Sequence, residues 1–353
     1  MSQHRSDVFV PGGIIDYPAR DMTITVGAAM PVCELNAILD KEGQQLPIDV
    51  ADPSMPVGEM VAMDIAGPRQ YGYGTLRDYL IGLEAVDGKG RRFHAGGRVV
   101  KNVAGYDLCR LLVGSQNRMG TLTQLTFKVR PLPAGHSLLV AGFRSLQNLE
   151  SALSALNTSA TTPVILDILN RPAAQSLLNA PTPELARNSV RMDALAFLVV
   201  AFEGPEVACN WQHSTFSREV AESASWIHTA SLPDASQIWC KVAQQATVPN
   251  DSIAWMASLT TLPSQVSAVT GVLHELGCDV FGRAGNGVLF CRPSSCSQAI
   301  KPPEESEGIG MLHALTTKGD GSVNVIKSAS MRSSVPPEAV SSLASRLQSV
   351  LGY

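Results

Sequence analysis

The sequence has no run of about 18 consecutive apolar residues, the shortest stretch that indicates a transmembrane helix. It also has no hydrophobic region of secretory length near its start, because a short apolar run ends at Pro11-Gly12-Gly13. These two absences predict a cytoplasmic protein without a transmembrane segment of its own.

A large charge of one sign is missing too. The chain has 27 Lys and Arg residues against 31 Asp and Glu residues, a net charge of −4, and no clustered basic stretch. Proteins that bind nucleic acid normally carry such a stretch, because it meets the phosphate backbone. We therefore exclude nucleic acid as a partner.

Paired cysteine motifs are absent as well. The 7 cysteines are odd in number, scattered, and include no C-x-x-C pair. This argues against a disulfide framework and against a zinc or iron–sulfur site. Cys291 and Cys296 lie closest in sequence, but no second pair of ligands accompanies them. We expect reduced thiols and no bound metal.

The length of 353 residues favours two domains, and the hydrophobic fraction of 45% supplies enough apolar surface for packed cores. Pro131 and Pro133 interrupt the chain, and the order of predicted elements changes after Gly135. We predict one domain over residues 1–134 and a second over residues 135–353.

The first domain should contain a mixed or antiparallel sheet. Alternating β-branched residues predict a strand at residues 22–26, and a stripe of Leu35, Ile38 and Leu39 predicts a helix that ends at Gly43. Residues 87–90 have the composition of a hairpin turn between two strands. A short helix that Asp107 caps and that runs through Leu112, and a strand at residues 122–129, complete the domain.

The second domain should be α+β, with an antiparallel sheet that has helices on one face. We predict strands at residues 138–143, 164–169, 196–202, 253–258 and 288–292, and helices at residues 145–156, 205–224 and 263–275. A C-terminal helix begins at Pro336-Pro337, with an apolar stripe at helical spacing. The similarity among the strand–helix–strand units is too weak to indicate a repeat.

Residues 52–74 form a long loop rich in glycine and proline, and long loops inside a compact domain are usually functional. Glycine lets a backbone approach a pyrophosphate or a flavin closely, since a Cβ would collide. An ordinary surface loop with several turns explains the same composition, so this loop alone decides nothing.

A second stretch is more specific. Residues 96–108 read GGRVVKNVAGYDL and are followed by LLVGS at 111–115 and MGTLT at 119–123. Over roughly residues 15–133 the chain resembles the FAD-binding subunits of bacterial glycolate oxidases, which belong to the vanillyl-alcohol-oxidase-like, PCMH-type flavoproteins. The resemblance implies an FAD-binding PCMH-type domain followed by an α+β cap domain that binds substrate or a partner.

The resemblance also implies which residues hold FAD. The loop after the first helix should approach the cofactor, residues 105–107 should form a second wall of the cleft, and residues 120–122 should offer backbone groups. The implied cofactor-binding residues are Val57, Gly58, Asp64, Gly67, Gly74, Gly105, Tyr106, Asp107, Gly120 and Leu122.

Several of these side chains have a structural alternative. Tyr106 suits a packed aromatic with a bonded hydroxyl, and Asp107 suits a helix cap first and a cofactor contact second. His94 on a predicted strand is more typical of a structural residue than of a base. No catalytic residue is identified.

Cations near the motifs are candidates for binding an anion. Arg69 and Arg77 follow the glycine loop and are the best of them, although Arg77 has Asp78 beside it as an alternative partner. Arg98 and Lys101 fit an anion contact and a solvated surface charge equally well.

The chain departs from the family in three places. Family members carry a glycine-rich phosphate loop before the strand that begins here near Thr23, and only about twenty residues precede that strand. Glu59 follows Gly58 where the family has two glycines, and Asp64 replaces an asparagine. The carboxyl end lacks the family's Asp-Pro and Asn-Pro-Gly pattern. We therefore expect the PCMH-type domain to be incomplete at its N-terminus and FAD to bind weakly to this chain alone.

The resemblance implies an FAD-linked oxidoreductase subunit of a glycolate (2-hydroxy acid) oxidase or dehydrogenase. Its partners would be a second flavoprotein subunit and an iron–sulfur subunit in a hetero-oligomer that lies peripheral to the inner membrane through those partners. The alternative is a non-catalytic scaffold subunit that has lost tight FAD binding and holds the two partners together. A third alternative, a start site further upstream, predicts that the preceding DNA encodes the phosphate loop.

Overall fold

The computed structural model describes residues 8–97, 107–178, 193–230, 238–239, 241–243, 255–294 and 322–328. These residues fall into two compact units, one that extends to Leu132 and one that begins at Pro133. Whether domains that fold separately divide at residue 134 stays a prediction.

The first unit contains a five-stranded antiparallel sheet and a small two-stranded ladder. Its seven strands are β1 Ile14–Asp16, β2 Thr23–Gly27, β3 Gln44–Gln45, β4 Leu80–Val86, β5 Arg92–Gly96, β6 Thr121–Lys128 and β7 Arg130–Pro131. The large sheet has the order β1-β2-β6-β4-β5, and β3 pairs with β7.

The residues of β2 show why this sheet forms. Ile24 and Val26 point into the core and are fully buried, while Thr25 on the other face shares a 3.0 Å hydrogen bond with Thr126 of β6. The predicted strands at 22–26 and 122–129 are therefore confirmed within one residue, and the predicted hairpin turn is confirmed by the pairing of β4 with β5.

The helices of the first unit are short. They are α1 Val32–Lys41, α2 Val57–Ala62, α3 Gln70–Tyr73, α4 Leu76–Tyr79 and α5 Leu108–Leu112. The prediction of α1 is confirmed, with Leu35 and Leu39 fully buried. Asp107 caps α5 as expected, because its side chain accepts a 3.0 Å hydrogen bond from the Arg110 amide.

The description of residues 52–74 as one long loop is wrong in part, because α2 and α3 lie within it. Helix α2 follows Pro56, and its Val57, Met60 and Val61 side chains are all 0% exposed. Six residues are too few for helical periodicity to show in the sequence, so packing against the core rather than local pattern specifies this helix.

The second unit is built on an eight-stranded antiparallel sheet. Its strands are β8 Gly135–Phe143, β9 Ile165–Asn170, β10 Ala196–Gly204, β11 Trp226–Thr229, β12 Trp255–Thr260, β13 Cys278–Arg283, β14 Val288–Pro293 and β15 Ser322–Ser328. Its helices include α6 Leu146–Asn157, α7 Arg171–Leu178, α8 Glu206–Glu219 and α9 Val266–Glu275. The predicted α+β architecture with an antiparallel sheet is confirmed.

The order of this sheet, β11-β8-β10-β9-β13-β14-β12-β15, consists of two halves with the same topology. In each half the first strand lies between the third and the fourth, and the second strand lies at the centre of the sheet. There β9 and β13 pair antiparallel, with Asp167 opposite Arg283. The structure therefore contains a topological repeat that the sequence does not reveal.

Four described elements of this unit, α7, β11, β13 and β15, were not predicted. Strand β13 buries Asp279 and Arg283 at 1% and 4% exposure, so its sequence does not show the apolar pattern expected of a buried strand. The predicted C-terminal helix lies outside the described residues.

Candidate functional site

Eight of the ten predicted cofactor-binding residues lie in the described part of the first unit. Gly105 and Tyr106 lie outside the described residues, as do Arg98 and Lys101. The eight residues come from several elements, from the first turn of α2 to the start of β6.

The start of α2 is closed by the protein's own backbone. The Val57 amide donates a 2.8 Å hydrogen bond to the Met30 carbonyl, and the Gly58 amide donates a 2.8 Å hydrogen bond to the Ala28 carbonyl. A Cβ on Gly58 would lie 2.9 Å from both the Cβ and the carbonyl oxygen of Ala28. Close packing of α2 on this segment therefore requires the glycine, and neither amide is open to a phosphate.

Other predicted glycines also have neighbours within the protein. A Cβ on Gly67 would collide with the side chain of Asp49, and a Cβ on Gly120 would lie 3.0 Å from the Val86 carbonyl oxygen. Leu122 is 3% exposed and belongs to the core of the sheet. These residues therefore pack against other parts of the first unit. Their contact with a cofactor stays a prediction.

Gly74 precedes a tight helix start. Its φ of +90° favours glycine, and the next residue, Thr75, forms a capping box with Asp78 at the start of α4. The Thr75 amide and hydroxyl donate to Asp78 Oδ2 at 2.8 and 3.0 Å. The suggested pairing of Arg77 with Asp78 is therefore not what the structure shows.

Arg77 pairs instead with Asp64. Its NH2 atom lies 3.4 Å from Asp64 Oδ2, with 49% of the Arg77 side chain and 32% of the Asp64 side chain exposed. Asp64 has a φ of +50°, and its other oxygen, Oδ1, is buried with no hydrogen-bond partner in the described structure. Burial raises the pKa of Asp64, and the charge of Arg77 partly offsets this rise.

The loop after α5 closes over this pair. The Gly114 amide donates to the Val61 carbonyl at 3.0 Å, and the Gln116 amide donates to the Ala62 carbonyl at 2.9 Å. A Cβ on Gly114 would lie 3.3 Å from Asp64 Cβ and 3.9 Å from Arg77 NH2. The end of α2, the start of α4 and this loop therefore meet at Asp64.

Ser115, which follows Gly114 in this loop, was not among the residues predicted from the sequence. Its hydroxyl oxygen is buried and has no hydrogen-bond partner among the described residues. The available signal was its place in the LLVGS stretch, directly after a glycine with a φ of +77°.

Arg69, the other candidate for an anion contact, is committed to the protein. Its Nε donates to Asp49 Oδ1 at 2.8 Å, its backbone amide donates to Asp49 Oδ2 at 3.0 Å, and its NH1 donates to Gln45 at 2.7 Å. Only 15% of its side chain is exposed. We call this group, Arg69 with Asp49 and Gln45, the Arg69 brace.

His94 and Asp107 are the other charged candidates among the described residues. His94 is exposed on the edge strand β5, in register with Glu84. Asp107 is exposed and pairs with Arg110 at 3.2 Å, as expected for a helix cap. A cavity of about 410 Å³ beside α1 is lined by Arg69 but by none of the ten predicted residues.

The Arg77 guanidinium fits an anionic cofactor such as FAD, because half of the side chain of this cation is exposed. Cationic donors are groups that bind phosphate oxygens. Among the described residues there is no group of three or more His, Cys, Asp or Glu side chains that could hold a metal ion.

Comparison with known proteins points to the same cofactor. Residues 11–96 match the family model described as an FAD binding domain. Glycolate oxidase subunit GlcE of Escherichia coli is 40% identical over 129 residues, which cover 36% of this chain and 37% of that protein. Glycolate oxidase subunit GlcD of Bacillus subtilis is 24% identical over 326 residues, which cover 85% of this chain and 65% of that protein.

A solved structure of alkyldihydroxyacetonephosphate synthase has a similar fold, with a TM-score of 0.69 and 14% sequence identity. The match covers 96% of this chain and 64% of that chain. The chain thus spans less than two thirds of the length of these relatives, and the structural likeness shows the fold alone.

Proposed function

We propose that this chain is an FAD-linked subunit of a 2-hydroxy-acid oxidoreductase. The PCMH-type fold and the match to the FAD binding domain together support membership of the FAD-linked oxidase family. The observation that carries the proposal is the 40% identity of one segment to a subunit of glycolate oxidase. A D-lactate dehydrogenase of Archaeoglobus fulgidus, 30% identical over 134 residues, belongs to the same class of acid oxidation.

Bound FAD would supply a hydride acceptor for the substrate carbon that carries the hydroxyl group. The described residues of this chain supply binding and orientation. Arg77 offers a cation to an anionic group, and close packing at Gly58, Gly67 and Gly120 fixes the backbone of the first unit. We propose no catalytic base.

We further propose that FAD binds weakly to this chain alone. The amides of Val57 and Gly58 already donate to the carbonyls of Met30 and Ala28, respectively, and Glu59 is exposed in the first turn of α2. Each missing charge-assisted hydrogen bond to a phosphate weakens binding by about 1.5–3 kcal/mol. Partner subunits would then complete the site, which makes the chain a member of a hetero-oligomer with a second flavoprotein and an iron–sulfur protein.

The proposal is tested with the full chain, alone and co-expressed with its partner subunits. We expect the assembled complex to lose its visible flavin absorbance when glycolate is added without oxygen. Propionate, which has a methyl group in place of the glycolate hydroxyl, is the control and should leave the absorbance unchanged. Absence of bleaching with glycolate and with D-lactate would contradict a 2-hydroxy-acid oxidoreductase.

A non-catalytic scaffold is the second candidate, because the amides at the start of α2 are occupied and the one described histidine of the first unit, His94, is exposed on an edge strand. Flavin content of the complex separates the two functions. A flavoenzyme subunit adds one FAD to the complex, whereas a scaffold adds none.

Within the described residues, we find no helix with the length and apolar character needed to cross a bilayer. We propose that any association with the inner membrane depends on partner subunits, and fractionation of cells that lack those partners would test this.

A further inference from the structure

We propose that Asp64 acts as a positioning residue for Arg77, and that Arg77, not Asp64, contacts the anionic cofactor. The inference rests on the proposed FAD-linked function and deepens it, because it assigns separate roles to the two members of one ion pair. It also reinterprets Asp64, whose place in the sequence suggests a direct cofactor contact.

The Asp64 side chain is held in place by the surrounding protein. Its backbone has a φ of +50°, and Gly114 approaches so closely that a Cβ there would lie 3.3 Å from Asp64 Cβ. Oδ1 is buried, so a ligand in solvent does not reach it, while Oδ2 faces Arg77. The carboxylate is therefore fixed toward the arginine.

The Arg77 guanidinium has N–H donors left for a ligand. Among the described residues its only polar partner is Asp64, and half of its side chain is exposed. A guanidinium carries five N–H donors, and one ion pair of 3.4 Å leaves most of them free. Arg69 differs, since the Arg69 brace uses its Nε and NH1.

The negative charge of Asp64 also fits a positioning role better than a direct cofactor contact. A carboxylate that faced the cofactor directly would repel its phosphates, whereas a carboxylate that orients an arginine lowers the conformational freedom of that cation. The two roles give opposite signs for Asp64→Asn. Binding of FAD becomes tighter if Asp64 repels the cofactor and weaker if Asp64 positions Arg77.

The test is a double-mutant cycle on the full chain, in which FAD fluorescence is titrated for the wild type, Asp64→Asn, Arg77→Gln and the double variant. Loss of one charge-assisted contact corresponds to roughly a tenfold to hundredfold weaker binding. We expect this loss for Arg77→Gln, a smaller loss for Asp64→Asn, and no further loss when Asp64→Asn is added to Arg77→Gln. If the loss of FAD affinity in the double variant equals the product of the two single losses, the inference is overturned. Tighter FAD binding by Asp64→Asn would also overturn it.

A matched control comes from Arg92 and Glu84, an ion pair with the same 3.4 Å distance and with 69% and 32% of the side chains exposed. Arg92→Gln and Glu84→Gln should leave FAD binding unchanged. If they weaken it as much as the Asp64 and Arg77 variants do, the effect is one of overall charge and the inference fails.

The pH dependence gives a second readout. Arg77 is the charged side chain that the described elements bring to Asp64, and burial raises the pKa of this carboxyl. Protonation removes the ion pair, so FAD affinity should fall as the pH falls through this raised pKa. Asp64→Asn should remove that dependence and Asp64→Glu should restore part of it; an unchanged profile in Asp64→Asn would contradict the positioning role.

A third readout separates this inference from the proposed function. Thermal melting of the same four proteins with inorganic pyrophosphate tests the anion contact of Arg77 without FAD. Stabilisation of the wild type that Arg77→Gln and Asp64→Asn both lack supports the inference even if FAD does not bind. Equal melting of all four proteins with pyrophosphate would refute it.

Discussion

The Arg69 brace should contribute measurably to the stability of the first unit. Asp49→Ala removes the carboxylate that accepts from Arg69 Nε and from the Arg69 backbone amide, yet it keeps the Cβ on which Gly67 packs. The side chains of Asp49 and Arg69 are 7% and 15% exposed. Removal of one partner from a buried ion pair costs about 3–5 kcal/mol. We expect the lower end, because Gln45 still accepts from Arg69.

Urea unfolding measured by far-UV circular dichroism is the assay. All four tryptophans follow residue 133, so their fluorescence reports the second unit and serves as an internal reference. Arg92→Ala is the control, since its exposed pair with Glu84 should contribute less than about 1 kcal/mol. If Asp49→Ala lowers the free energy of unfolding as little as the control does, the Arg69 brace does not stabilise the first unit. Arg69 would then again be a candidate for binding an anionic ligand.

Three further predictions concern α2 and the thiols. Gly58→Ala should lower the free energy of unfolding by about 1–3 kcal/mol, because the new Cβ would lie 2.9 Å from Ala28 Cβ; urea unfolding measures this, and an unchanged midpoint would contradict the packing. Glu59→Gln should raise FAD affinity several-fold by removing a like charge near the cofactor phosphates; a fluorescence titration in which affinity falls or stays the same would show that Glu59 lies away from them. Burial raises the pKa of Cys278 to about 12, so at neutral pH iodoacetamide should label the exposed Cys33 and spare Cys278 until the protein is unfolded; peptide mapping that finds both labelled equally in the native state would contradict the burial.

Much of the fold could be predicted because its pattern is local. The alternation of Thr23 to Val26 marks β2, the stripe of Leu35 and Leu39 marks α1, and the capping preference of aspartate marks Asp107. Each of these signals lies within one element, so it needs no knowledge of the partner on which the element packs.

The parts that could not be predicted depend on contacts between distant residues. The topological repeat exists only through the pairing of β9 with β13, more than a hundred residues apart in the chain. Strand β13 was missed because cross-strand partners, such as Arg292 for Asp279, make its buried charges tolerable. Sequence alone does not show those partners.

The same limit applies to the candidate site. The glycines were predicted to let the backbone approach a cofactor, whereas the groups that approach Gly58 and Gly67 in the structure are the protein's own Ala28 and Asp49. Arg69 was a candidate ligand until Asp49, twenty positions earlier, proved to hold it. Arg77 pairs with Asp64 rather than with its neighbour Asp78, because the Asp78 carboxylate accepts hydrogen bonds in the capping box of α4.

The FAD content and affinity of the full chain test the central claim most directly. The chain is purified without added flavin, its visible absorbance is recorded, and FAD is then titrated while flavin fluorescence is followed. The account predicts little retained flavin and a weak but saturable binding curve. Absence of saturable binding would contradict an FAD-linked subunit, and stoichiometric FAD that survives purification would contradict the occupied amides at the start of α2 as a cause of weak binding.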